Sequence, residues 1–85
     1  MLKGKTKSGF QYEISDARLN NYELMEAISE SVKEPYHMPR VVTLLFGEDQ
    51  KAKFLDTLRD EEGFVDIKKV EEEVTLIFER GQLKK

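Results

Sequence analysis

Residues 38–46 read MPRVVTLLF, in which Met38, Val41, Val42, Leu44, Leu45 and Phe46 are apolar and only Arg40 and Thr43 are polar between them. Pro39 suits the first turn of a helix, where its fixed φ is already helical and its missing N–H costs nothing. Gly47 is a natural stop. A short helix that is apolar nearly all round belongs at the centre of a fold, because no face of it can be left to water.

The remaining chain supplies elements of a more amphipathic kind. Phe10, Tyr12 and Ile14 alternate with Gln11 and Glu13, the period of a half-buried strand. Leu2 to Thr6 can pair with it through a Lys7-Ser8-Gly9 turn, which predicts a β-hairpin over 2–14. Lys3, Lys5 and Lys7 then line an edge and discourage strand addition. A lone hairpin is marginal in water, so it is expected to pack on helices.

Asn20 or Asn21 can cap a first helix, and Asn20 with Glu23 has capping-box spacing. Leu24, Met25, Ile28 and Val32 are expected to share its inner face, with Tyr22 off that face. A loop bounded by Pro35 and Pro39 follows. A third helix is expected near Glu48 or Asp49, where acids favour the positive helix end, with Phe54, Leu55 and Leu58 as its inner stripe. Asp60-Glu61-Glu62-Gly63 is a turn sequence, and Phe64 and Val65 are expected to be extended. Asp66 caps a fourth helix with Ile67, Val70, Val74, Ile77 and Phe78 at helical spacing. Gly81 is its stop.

The expected fold is mainly α, or α+β with a minor β part: an N-terminal hairpin followed by a compact bundle of about four short helices. With 85 residues the chain is read as a single domain over 1–85, with the hairpin at 2–14, the bundle at 21–81 and a frayed tail at 82–85. A core this small leaves stability modest unless a partner covers further apolar surface.

Composition removes several function classes. Cysteine is absent, which excludes disulfides, thiolate nucleophiles and cysteine-based zinc sites. The net charge is −3, and the 36% of charged residues mix both signs, which argues against a broad phosphate-binding face. The longest apolar run, 41–46, is far short of a membrane span. The basic start MLKGKTKSGF has no apolar stretch behind it and does not read as a signal peptide. The expected location is the cytoplasm.

No catalytic, cofactor or metal site is expected. His37 is the only histidine and cannot supply a metal cage without cysteines. The acids Glu48-Asp49, Asp60-Glu61-Glu62 and Glu71-Glu72-Glu73 sit at expected helix starts and outer faces, where capping and solubility account for them. Neither a GxxxxGK[ST] nor a GxGxxG motif is present. A helix-turn-helix built on Gly47 would begin its reading helix with Glu48-Asp49-Gln50, and two acids there repel phosphate.

What remains is protein recognition. Tyr22 lies off its helix's inner face. Leu76 lies about 180° round the fourth helix from Ile67, and Leu83 falls near the same line. Tyr36 and Met38 occupy the two-proline loop, and both residue types are common at adaptable interfaces. These five residues are the candidate partner-binding set.

The order of these pieces resembles the small tail assembly chaperones of long-tailed phages and prophages of Gram-positive bacteria. The resemblance rests on KTKSGFQYEI, NNYELMEAI, LLFGEDQKAKFLDTLRDEEGFV and EEEVTLIFE, which together cover most of the chain. It implies a non-catalytic protein that binds the tape measure protein, keeps that long helix soluble until the tail tube protein polymerises around it, and is absent from the mature virion. It also implies a gene between those of the tube and tape measure proteins, often with a longer frameshifted form. Self-association is compatible with it. The alternatives are a small DNA-binding regulator or antitoxin-like protein, or an adaptor subunit of another bacterial complex.

Overall fold

The alternation at Phe10, Tyr12 and Ile14 produces a hairpin that uses one face for the core. Strand β1 (Leu2–Lys5) pairs antiparallel with β2 (Gln11–Ile14), from Leu2 opposite Ile14 to Lys5 opposite Gln11. Phe10, Tyr12 and Ile14 are buried, and Gln11 and Glu13 face outward. The turn closes where Gly9 N–H donates to the Thr6 carbonyl at 3.0 Å, with Gly9 at φ 101°. That is the left-handed residue a three-residue hairpin loop requires. The computed structural model describes residues 1–80, so the stop at Gly81, the tail at 82–85 and Leu83 lie outside the described residues.

A one-turn helix not expected from the pattern, α1 (Asp16–Leu19), follows the hairpin, and Ser15 caps it by accepting from Arg18 N–H at 3.2 Å. Helix α2 (Tyr22–Lys33) is capped by Asn21, whose Oδ1 accepts from Glu23 N–H at 3.0 Å. The capping-box pairing of Asn20 with Glu23 is therefore not the arrangement adopted. The expected inner face is also rotated. Leu24 and Ala27 are buried and Ile28 and Ser31 half-buried, whereas Met25 and Val32 are exposed. The small side chains of Ala27 and Ser31 occupy the arc that faces the body of the protein.

A 3₁₀ turn (Pro35–His37) leads into α3 (Met38–Leu58), which contains both central helices of the sequence reading. They meet at Gly47, whose φ of 80° and ψ of 168° break the helix without an intervening loop. A break orphans carbonyls, and two side chains meet that need. Arg18 Nη1 donates to the Leu44 carbonyl at 3.0 Å, and Gln50 Nε2 donates to that of Phe46 at 3.2 Å. Gln50 also closes the outer edge of β2: its Nε2 donates to the Glu13 carbonyl at 2.7 Å and its Oε1 accepts from Glu13 N–H at 2.9 Å. A side-chain amide thus stands in for a neighbouring strand.

The link after α3 is held by Asp60. Its carboxylate accepts from Glu62 N–H at 2.9 Å and Phe64 N–H at 3.0 Å, and Val65 forms a bridge with Arg59. Helix α4 (Ile67–Arg80) starts on Asp66, which accepts from Lys68 N–H at 2.8 Å. The fold is therefore mainly α with a minor β-hairpin, as the sequence implied. Its core gathers Phe10, Tyr12 and Ile14 with Leu24, Val41, Val42, Leu45, Phe46, Phe54, Val74 and Ile77. Phe54 is at the centre, with ring centroids 5.6 Å from Phe10 and 4.9 Å from Phe46.

Candidate functional site

Two arms of one helix and the start of another enclose a largely apolar hollow on the surface. The break at Gly47 lets both halves of α3 contribute: Met38, Pro39 and Val42 from before it, Lys51 and Leu55 from after it. Val65, Ile67 and Val70 form the facing wall, with Lys68 and Glu71 beside them, and Tyr36 stands at one end. The groove has a volume of about 660 Å³, which falls in the range of ligand clefts, ~300–1,000 Å³. It is open rather than enclosed, and its floor is buried Val42 and Val70.

The groove exists because the apolar stripe of α4 outruns the core. Val70, Val74 and Ile77 are buried, but Ile67, in the same helical phase, is 66% exposed. Periodicity places Ile67 on the inner stripe and it does share the phase of Val70, Val74 and Ile77, but the described residues leave that first turn largely uncovered. Phe64 is exposed just before it at 68%, and Tyr36 at 86%. Tyr36 and Ile67 line the same groove, and large exposed apolar patches are common at recognition surfaces.

Lys51 and Lys68 give the groove margin a cationic bias against the single Glu71. Lys51 Nζ lies 4.0 Å from Glu48 Oε1, a long pair in which Lys51 is half-buried and Glu48 exposed.

Of the five candidates, Tyr36 and Met38 line this groove together. Tyr22 is exposed on α2 away from it, and Leu76 lies over a separate hollow of about 300 Å³ between α4 and the hairpin, beside Lys5, Thr6 and Tyr12. Leu83 falls outside the described residues. Sequence reasoning missed Leu55, Ile67 and Val70 as groove residues because each is in phase with the core, and Val65 because it lies in the extended link before α4. The signal that could have found Ile67 was its place in the first turn of α4, next to an apolar Phe64-Val65 pair.

The chemically capable side chains are dispersed. His37 Nδ1 is 3.7 Å from Glu30 Oε1 and its Nε2 is 3.6 Å from Glu34 Oε1, and Arg40 shares Glu30 at 3.4 Å. Among the described residues no group of three or more His, Asp or Glu side chains is arranged to hold a metal ion. Glu73 departs from the expected outer-face placement: it is buried, and Ser8 Oγ donates to its Oε1 at 2.8 Å. That bond ties the hairpin turn to α4. Asp60 is held below the usual carboxylate range, chiefly by the Phe64 N–H it accepts and secondarily by those of Glu62 and Gly63 and the nearby Lys69 charge. No helix among the described residues is long and apolar enough to cross a membrane.

Comparison with protein-family models, with curated proteins and with solved structures finds no match to this chain.

Proposed function

We propose that this chain is a non-catalytic protein-binding module of the tail assembly chaperone type, and that its groove takes an amphipathic helical segment of a tape measure protein in the host cytoplasm. The observation that carries the reading is the open apolar groove between α3 and α4, with exposed Ile67 and Tyr36 at its margin. A helix presenting apolar residues at i, i+3 or i+4 and i+7 can set them against Leu55, Val65, Ile67 and Val70. Acidic residues beside that stripe would meet Lys51 and Lys68.

Magnitudes favour a coat over a tight single clamp. Each large apolar anchor contributes roughly 1.5–3 kcal/mol when fully buried. Association costs on the order of 4–15 kcal/mol, so a few anchors in one groove leave a weak complex. Many weak contacts along one long partner gain by multivalency, and they release readily when a tube protein displaces them. An adaptor that binds a helix of some other complex shares the groove and differs in its partner. A DNA-binding reading has less support, since Glu48 and Asp49 are both exposed at the start of the second half of α3.

The test is co-expression with a phage tape measure protein, followed by capture of the pair. Wild type is expected to hold it in solution, and Ile67→Asp and Leu55→Asp to lose it while keeping the wild-type circular dichroism spectrum. Capture that is indifferent to both substitutions would remove the groove from the account, and no capture at all would remove the chaperone reading.

A further inference from the structure

The face of α2 that turns away from the core carries a second pattern. Tyr22, Met25, Ser29 and Val32 recur at alternating spacings of three and four residues, the a/d rhythm of a two-helix seam. All four are exposed, Tyr22 at 68%, Met25 at 59% and Val32 at 83%. The opposite arc, Leu24 and Ala27 with half-buried Ile28 and Ser31, packs on the body of the protein. The helix is therefore built with two apolar faces, of which the fold uses one. No α2 residue lines the groove between α3 and α4, so this surface is separate from it.

The charges beside the seam identify what covers it. With Tyr22 and Ser29 as a positions and Met25 and Val32 as d positions, Glu26 and Lys33 are successive e positions. Among the described residues neither has an ion-pair partner within the chain. In an antiparallel helix pair e positions face e positions, so Glu26 of one copy meets Lys33 of the other, and the two-fold axis makes the pair twice. A parallel arrangement would not bring them together. The small Ser29 lies near the middle of the seam, where two helices can approach closely. We propose that this protein self-associates as a two-fold dimer through an antiparallel pairing of α2 with the α2 of a second copy. The seam is short and falls below the ~1,200 Å² of a standard interface, so the dissociation constant is on the order of 100 µM.

Sedimentation equilibrium from about 5 to 500 µM tests this. Wild type is expected to show a monomer–dimer equilibrium, and Met25→Glu to weaken it at least tenfold with an unchanged melting temperature. E26K places lysine opposite Lys33 of the second copy, and K33E places glutamate opposite Glu26, so each alone is expected to be monomeric. An equimolar mixture of the two is expected to dimerise, because every e-position contact is then between opposite charges, and the double variant E26K/K33E is expected to recover self-association. A monomer throughout the range would overturn the proposal. So would a dimer indifferent to Met25→Glu and to the charge swaps, or a Met25-dependent capture of the partner protein by a chain that never dimerises, which would assign the seam to that partner.

Discussion

Gly47→Ala is the substitution on which the fold's central joint depends. Gly47 has φ 80° and ψ 168°, a region essentially restricted to glycine. Holding an alanine there costs roughly 1–3 kcal/mol. The added Cβ would also stand 2.6 Å from Arg18 Nη2, which must move and give up its 3.0 Å bond to the Leu44 carbonyl. That bond is worth about 1 kcal/mol net. Alanine restricts the unfolded chain and returns about 0.4–1 kcal/mol. The balance is a loss of about 2 kcal/mol, against a total stability of about 4–13 kcal/mol for a domain of this length. At ~4–8 °C per kcal/mol, the melting temperature is expected to fall by roughly 8–16 °C. Thermal and urea unfolding of the variant measure this directly. Gly9→Ala is the control: φ is 101°, but nothing lies within 4 Å of the new Cβ, so it carries backbone strain alone. In an Arg18→Ala background, Gly47→Ala is expected to cost about 1 kcal/mol less, because the displaced bond is already absent. A Gly47→Ala protein within about 0.5 kcal/mol of wild type would show that the chain passes through 47 in some other way. The groove is linked to the same joint, since Val42 and Leu55 lie on either side of Gly47.

Three further expectations follow from the packing. Phe54→Ala empties the centre of the Phe10–Phe46–Phe54 cluster and is expected to cost about 3–5 kcal/mol, enough to leave a protein this small partly unfolded in a urea titration. Gln50→Ala removes three hydrogen bonds, two of them to Glu13 on the β2 edge; a loss of about 1–3 kcal/mol and faster amide exchange at Glu13 are the readouts. Asp60 has a folded pKa lowered from 3.8, chiefly by the Phe64 N–H, so its carboxylate favours the folded state at neutral pH. That contribution is complete above the unfolded value and is lost as pH falls through the folded one. Asp60→Asn should therefore lower the melting temperature at pH 7 and converge with wild type in strong acid; a pH-independent difference would sink the argument.

Much of the architecture could be read from local pattern because the forces that shape it are local. The strand alternation at Phe10, Tyr12 and Ile14, the proline at 39, the glycine at 47 and the Asp66 cap each act within a few residues. The inner face of α2 does not follow the largest apolar side chains. Met25 and Val32 are the bulkier residues, but Ala27 and Ser31 occupy the arc where the helix meets the body of the protein. Of the residues lining the groove, Tyr36 and Met38 carry a sequence signal in the stretch from Pro35 to Pro39, whereas Leu55, Ile67 and Val70 do not. Their spacing is that of core residues, and spacing cannot say where a core ends.

The amino-acid order by itself determined a small, mainly helical chain with a terminal hairpin, a central apolar helix and helix breaks at known glycines and prolines, since periodicity and backbone chirality act residue by residue. Tertiary structure alone decided which apolar residues stay uncovered. It also decided that Gln50 serves Glu13 and Phe46, that Arg18 serves the break at Gly47, and that Ser8 reaches Glu73 across 65 positions. Those pairings depend on where distant segments come to rest, and the surplus of apolar surface at Ile67 and along α2 becomes visible only once the core has closed without it.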